Sequence, residues 1–252
     1  MRSYSSRASS VSSTLDGNGP TAKLVGFDYY VRTTTGLPPQ GFPGNITFSE
    51  SIGFLALKAE KGEADTVDFI VAHESAHQWW GNILTPGKGP GGNVLSEGMA
   101  NYSAAMLVEQ MRGVKTRRAL MTKFEREYVQ QRNPDRERPL HKVDGSRPGD
   151  TTLVYNRGGW VFFMLMEQMG RERMLKGLRE FILKFKDGPD FPLIEDLVES
   201  LRPHAADPKA FDAFVKQWLL GKVLPEFSLG EVHHEADGAG RHTTTGMITN
   251  TG

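Results

Sequence analysis

Apolar residues recur at helical spacing through the middle of the chain, which predicts a mostly helical protein. The first helix is predicted to begin at Asp65 or Thr66, either of which can cap it, and to end at Trp80 before Gly81. Residues 133–152 are polar and rich in Pro and Gly, so they are predicted to form a long loop. The same periodicity predicts further helices at about residues 94–112, 115–131, 155–169, 171–186, 193–202 and 208–220.

The two ends of the chain carry β-type patterns instead. Residues 24–35 are β-prone, a short extended segment is expected at 46–54, and two strands are predicted at 227–234 and 241–250. The fold class expected from the whole pattern is therefore mainly α, in an α+β arrangement with a small N-terminal sheet and a C-terminal β segment.

The chain is expected to divide into three parts. Residues 1–20 are rich in serine and lack an apolar centre, so they are predicted to form a disordered tail. Residues 21–222 are expected to form the main domain. Residues 223–252 make a β segment that is too short for a domain of its own and is expected to be an incomplete one.

Composition excludes several classes of function. The 30 Lys and Arg balance the 30 Asp and Glu, so no overall positive charge attracts nucleic acid. The absence of cysteine excludes disulfides, thiolate metal ligands and a thiol nucleophile. No uncharged apolar run reaches the ~20 residues that cross a bilayer, so no membrane-spanning segment is predicted. A cytoplasmic location is the default expectation, with a membrane-associated parent protein as the alternative.

The strongest chemical signal is the run His73-Glu74-Ser75-Ala76-His77 on the first predicted helix. Because residues four apart lie on the same face of a helix, both imidazoles can reach one ion. Glu74 lies about 100° round the helix, where it can touch a water on that ion without being a ligand. The alternative is a chance pair of histidines on a solvated helix face.

Zinc in a hydrolytic site takes three protein ligands and leaves one position open for water. Glu97 is predicted to be the third ligand, since it lies near the start of the second helix on an otherwise apolar stripe. A buried carboxylate there is costly unless it is paired or binds a metal. The alternative is an acidic residue that interacts favourably with the helix dipole.

Residues 73–85, followed by Ser96-Glu97-Gly98, resemble the gluzincin zinc aminopeptidases, the membrane alanyl aminopeptidase family that includes aminopeptidase N and leukotriene hydrolase. Family members place 18 residues between the second histidine and the glutamate and have Asn before it, whereas this chain has one more residue and Ser96. The Gly- and Pro-rich loop at 87–92 is similar to that of a bacterial subgroup joined to transporter permeases. The resemblance implies a thermolysin-like catalytic domain at 21–222 and only a remnant, within 21–45, of the family's N-terminal β-domain.

The resemblance also implies roles for two further residues. Residues 48–54 resemble the family's Gly-x-Met-Glu-Asn motif, which implies that Glu50 binds the free α-amino group of a peptide substrate. Residues 154–159 resemble its Tyr-x-Lys-Gly stretch, which implies that Tyr155 donates a hydrogen bond to the oxyanion. The alternatives are an ordinary loop acid and a tyrosine that packs at a helix end.

The function expected from these residues is that of a zinc aminopeptidase acting on peptides with a free N-terminus. One Zn²⁺ is expected on His73, His77 and Glu97, with Glu74 as general base. An endopeptidase or an epoxide hydrolase with the same site is the nearest alternative. An alternative of another class is a non-catalytic interaction domain of a transporter-like assembly, but the intact Glu74 disfavours it because a structural zinc has no use for a general base.

Overall fold

The structure is a computed structural model, in which the helices and small antiparallel sheets confirm the expected mainly helical fold. It describes residues 5–7, 28–30, 40–47, 65–133, 135–222, 226–236, 238 and 240–250. No helix in these ranges is both long and apolar enough to cross a bilayer.

The α-helices of the described residues are α1 (Thr66–Ala76), α2 (Met99–Arg112), α3 (Val114–Gln131), the single turn α4 (Asp150–Thr152), α5 (Gly158–Met169), α6 (Arg171–Phe185), α7 (Ile194–Leu201) and α8 (Pro208–Phe214). Three π-helical turns continue them: π1 (Val94–Gly98) before α2, π2 (Leu153–Arg157) before α5, and π3 (Val215–Leu219) after α8. Short 3-10 turns lie at Leu140–Lys142 and Arg202–His204.

The strands form three separate antiparallel pairs. They are β1 (Ser5–Arg7) with β2 (Asp28–Tyr30), β3 (Gln40–Phe42) with β4 (Asn45–Thr47), and β5 (Phe227–Ala236) with β6 (His242–Asn250). The β5–β6 hairpin confirms the two predicted C-terminal strands, and a register shift between Gly230 and His233 interrupts its pairing. Residues of the predicted tail form β1, and the division into three parts stays a prediction.

Helix α1 begins as predicted and ends earlier than predicted. The Asp65 side chain accepts a hydrogen bond from the Val67 N–H and caps the helix. The helix ends at Ala76, so the predicted end at Trp80 was wrong. Trp80 instead bridges to Leu84, and the φ of +122° at Gly81 allows the chain to turn there.

The core lies around α2, which packs against α1, α3 and α5. The buried side of α2 carries Met99, Ala100, Tyr102, Ala104, Ala105 and Val108, and α5 contributes Val161, Phe162, Phe163, Leu165 and Met166. Burial of these apolar side chains stabilises the fold by roughly 1.5–3 kcal/mol for each large residue. This packing supports the residues that α1 and π1 direct toward the site.

The long loop predicted at 133–152 is shorter than expected. It contains the 3-10 turn Leu140–Lys142, and the next helical segment starts at Asp150 rather than near Tyr155. Gly149, whose φ is +94°, adopts the left-handed conformation that directs the chain into this helix. Tyr155 consequently lies inside a continuous helical segment and not at its beginning.

Candidate metal centre and active site

His73, His77 and Glu97 meet at one point. The Nε2 atoms of the two histidines lie 3.1 Å apart. Each of them lies 3.1 Å from Oε2 of Glu97. In the part of the chain that the structure describes, these three side chains form a group that could hold a metal ion.

The local structure of each element explains this convergence. His73 and His77 are one helical turn apart at the end of α1. Glu97 lies in π1, and a π turn rotates side chains away from the positions of an α-helix, which is why such turns are common at functional sites. A Cβ atom on Gly98 would lie 3.1 Å from the Val154 carbonyl, and one on Gly158 would lie 3.3 Å from Gly98 Cα. The two glycines thus allow π1 and π2 to approach closely.

The hydrogen bonds behind the histidines determine which nitrogen faces the cluster. The Asn101 amide nitrogen donates to the Tyr155 carbonyl at 2.7 Å, so its oxygen faces His73 Nδ1, also at 2.7 Å. His77 Nδ1 lies 2.8 Å from the Trp80 carbonyl. Because both partners are acceptors, both Nδ1 atoms carry the proton and donate it. Each Nε2 therefore directs a lone pair toward Glu97.

The two Nε2 atoms and Oε2 of Glu97 are all acceptors, so their close contact is unfavourable unless a cation lies between them. Ligand atoms that bind a tetrahedral zinc at ~2.0–2.1 Å lie about 3.3 Å apart, close to the distances of 3.1 Å found here. A proton on one Nε2 would satisfy a single contact, whereas a cation satisfies all three. Burial alone would raise the pKa of Glu97, but in the absence of an ion a proton shared with the two imidazoles outweighs this effect and holds the pKa at about 2. The carboxylate is thus ionised, as a metal ligand must be.

Glu74 lies beside the cluster without belonging to it. The residue is only 6% exposed. Burial raises the pKa of its carboxyl group, and the two neighbouring histidines oppose this shift only in part. The Gly41 N–H donates a hydrogen bond to the same side chain. The Glu74 carboxylate is shielded from water, is held in place and has a raised pKa, so it is suited to accept a proton.

Hydrogen bonds between the turns that follow α1 and the β3–β4 hairpin, which sequence reasoning missed, explain the position of Gly41. The Gln78 amide donates to the Phe42 carbonyl at 2.7 Å and accepts from the Gly44 N–H at 2.7 Å. Asn82 donates to the Gly41 carbonyl. A Cβ atom on Gly41 would lie 2.5 Å from the Glu74 carbonyl oxygen, so only glycine fits here.

Tyr155 lies next to the metal-binding side chains. Its ring stacks on His73, with centroids 5.8 Å apart and planes 21° apart. Burial, reinforced by the nearby carboxylates of Glu97 and Glu74, raises the pKa of its phenol above the ordinary value. The phenol is therefore neutral and able to donate a hydrogen bond.

These side chains line a cleft of about 740 Å³. Phe69 and Phe124 form an apolar part of its wall, in edge contact at 5.5 Å, and Lys123 and Glu127 of α3 add charge. The role of Glu50 stays a prediction, because Glu50 lies outside the described residues. His141 bonds the Leu219 carbonyl and is not part of the cleft wall.

Comparison with known proteins points in the same direction. Residues 43–218 match the peptidase family M1 domain. Endoplasmic reticulum aminopeptidase 2 of Homo sapiens is 26% identical over 152 residues, which make up 56% of this chain and 15% of that protein.

Solved structures of low sequence identity share the fold. The M1 zinc metallopeptidase from Deinococcus radiodurans, in a mutant form bound to a Tyr-Ser-Ala substrate, is 18% identical with a TM-score of 0.61, over 79% of this chain and 40% of that one. Aminopeptidase A of Legionella pneumophila in complex with aspartic acid is 20% identical with a TM-score of 0.55, over 88% and 24%. The chain thus spans well under half the length of these relatives.

Proposed function

This chain belongs to peptidase family M1, and from that membership and the geometry of the cleft we propose that it is the catalytic part of a zinc aminopeptidase. Its substrates would be peptides with a free N-terminus. The observation that carries the proposal is the convergence of His73, His77 and Glu97 with a buried Glu74 beside them. A purely structural zinc site would have no use for that fourth side chain.

His73, His77 and Glu97 would hold one zinc ion, which when bound lowers the pKa of a water and polarises the scissile carbonyl. Glu74 accepts the proton of the attacking water and passes it to the leaving amine. Its burial and its bond from Gly41 keep the carboxylate at a fixed position for both transfers. Asn101 and the Trp80 carbonyl keep the two imidazoles in the tautomer that binds metal.

Tyr155 donates a hydrogen bond to the carbonyl oxygen as negative charge develops on it. This bond strengthens only as the transition state forms, so it accelerates the reaction rather than tightening substrate binding. The raised pKa of the phenol supports the role, since a neutral donor is required. Its position next to His73 puts the hydroxyl within the same cleft as the metal ligands.

Selectivity for the first peptide bond would come from Glu50, which pairs with the substrate ammonium and sets its distance from the metal. The resemblance to the family motif supports this role. The tripeptide bound by the solved Deinococcus relative supports small unblocked peptides as the substrate class. The nearest alternatives, cleavage inside a peptide and opening of an epoxide, use the same metal chemistry.

The decisive experiment compares an aminoacyl arylamide with its N-acetylated counterpart, in the native chain and in Glu50→Ala, with zinc content measured in each sample. We expect the native chain to prefer the free amine. We expect Glu50→Ala to reduce this preference by a free energy of roughly 2–5 kcal/mol while zinc is retained. An unchanged ratio would refute the role of Glu50, and cleavage only within internal peptide bonds would favour an endopeptidase.

A further inference from the structure

The loop of residues 135–149, which joins α3 to α4, carries two adjacent residues of opposite charge with partners at opposite ends of one segment. Glu137 Oε1 lies 2.9 Å from Arg157 Nη1. Arg138 forms an ion pair with Asp150. Asp150 begins α4 and Arg157 ends π2, so one ion pair lies at each end of residues 150–157.

Both ion pairs are buried. The side chains of Glu137, Arg157 and Asp150 are 1%, 4% and 3% exposed, and that of Arg138 is 13% exposed. Glu137 also receives the Tyr128 hydroxyl and lies 3.0 Å from Arg132 Nη2. A buried carboxylate loses much of its hydration, so it is tolerated only when such partners compensate it. The chain thus keeps a costly charged cluster beside this segment.

The order of charges along the loop also determines how residues 150–157 are aligned with the loop. The acid at 137 faces the base at 157, and the base at 138 faces the acid at 150. Displacing the loop along the segment would separate opposite charges or bring like charges together, and in a dry environment both are unfavourable. The two pairs therefore hold residues 150–157 in one position along their own axis.

Tyr155 lies between these two pairs, in π2. Such single π turns are rare and are frequent at functional sites. The position of this turn determines where the Tyr155 phenol lies.

We propose that the ion pairs Glu137–Arg157 and Arg138–Asp150 are a positioning device for Tyr155. They hold the segment at both ends so that the phenol faces the reacting carbonyl. The inference rests on the proposed function, in which Tyr155 donates to the oxyanion. Glu137, Arg138, Asp150 and Arg157 are positioning residues, because they act through Tyr155 and do not line the cleft.

The test is a double-mutant cycle. Glu137→Gln/Arg157→Met removes both charges of one pair, and it is measured in the native background and together with Tyr155→Phe. Steady-state kcat and KM are measured on an aminoacyl arylamide, with zinc content in every variant. We expect kcat to fall on the order of 10- to 100-fold in the native background, because small misplacement of a reacting group costs up to about 10²-fold. We expect KM and zinc to stay nearly unchanged.

With Tyr155→Phe already present, the same pair of substitutions should change kcat by no more than about twofold, since the group that they position is gone. An equal fall in both backgrounds, or a fall in neither, would overturn the proposal. Arg157→Lys, which keeps the charge but loses the planar fork, should give a smaller effect in the same direction. This variant replaces the double substitution if the latter does not fold.

A matched control is the cluster of Glu109 with Arg117 and Arg171. There too one carboxylate bridges two arginines, with Arg117 Nε at 2.9 Å, but the three residues lie on α2, α3 and α6 and not in residues 150–157. Glu109→Gln/Arg117→Met should leave kcat within about twofold in both backgrounds. A fall equal to that of Glu137→Gln/Arg157→Met would mean that loss of any such cluster lowers activity, which contradicts the proposal.

Hydrogen exchange separates this inference from the proposed function. In Glu137→Gln/Arg157→Met the amides of residues 150–158 should exchange faster, while those of α1 should not change. Unchanged exchange at 150–158 would overturn the positioning role whatever the activity. If Tyr155→Phe alone leaves kcat unchanged, the role of Tyr155 in the proposed function is refuted. The catalytic purpose of the pairs is then refuted with it, and the exchange data alone decide whether they hold the segment.

Discussion

Two clusters of ionisable side chains among the described residues differ in how their charge is balanced. In the first, His73, His77 and Glu97 bring three acceptor atoms within 3.1 Å of one another, while both Nδ1 protons point elsewhere. In the second, Glu137 lies against Arg157 and Arg132, so opposite charges meet within the chain itself. Of these two, the second cluster alone pairs opposite charges without an added ion.

The first cluster is therefore suited to bind an ion, whereas the second is suited to fix the position of the backbone. A cluster of acceptors is stable only when a cation completes it, so its geometry is suited to a metal. A cluster of opposite charges needs no added cation, and its effect is to fix the backbone segments that carry it.

The largest effect should follow from removing zinc. Chelation should abolish turnover, because His73, His77 and Glu97 are then left with no cation and the carbonyl with no Lewis acid. It should also lower the unfolding temperature, since an ion that binds only the native state stabilises it. Peptidase assays and thermal unfolding before and after dialysis against a chelator would measure both. Full activity in a metal-free sample, verified by elemental analysis, would contradict the proposed chemistry.

Glu74→Gln should retain the zinc but cleave substrate much more slowly. The amide keeps the shape of the side chain but cannot accept a proton. Loss of a general base typically costs on the order of 10²–10⁴ in rate. Steady-state kinetics with zinc analysis would check this. Cleavage at the parent rate would show that Glu74 is not the base.

Arg157→Met alone should destabilise the fold, because it leaves Glu137 buried with one arginine fewer. Removal of one partner of a buried pair typically costs about 3–5 kcal/mol, and the remaining Arg132 places this case near the lower end. Glu137→Leu/Arg157→Met should cost less than the single change, since no carboxylate is left buried and Arg132, the other partner of Glu137, has a side chain that is 21% exposed. Urea unfolding of the two variants would compare them. A double variant less stable than the single one would contradict this account of the cluster.

The smallest effect should come from an exposed ion pair. Arg112 lies 2.7 Å from Asp68 and joins α2 to α1, but its side chain is 53% exposed. Arg112→Met should therefore lower stability by less than ~1 kcal/mol, because water screens the pair. The same urea titration would measure it. A loss as large as that of Arg157→Met would mean that burial does not distinguish the two kinds of pair.

Local patterns predicted the elements well where the decisive contacts are local. The start of α1 follows from a cap two residues away from its partner, and the β5–β6 strands follow from alternation around a Gly-containing turn. The predicted end of α1 at Trp80 was wrong because residues 77–84 form turns among themselves. The predicted start near Tyr155 was wrong because ion pairs from a separate loop support a helical segment that begins at Asp150.

The sequence by itself determined the helical class of the fold and the family resemblance. It also determined that His73 and His77 lie on the same face of α1, because they are one helical turn apart. Only the tertiary structure decided which nitrogen each imidazole offers, through Asn101 and the Trp80 carbonyl, and how Gln78 brings Gly41 to Glu74. It alone joined Glu137 to Arg157. These contacts link elements that pack together at distant positions in the chain, and a local pattern carries no information about which elements will meet.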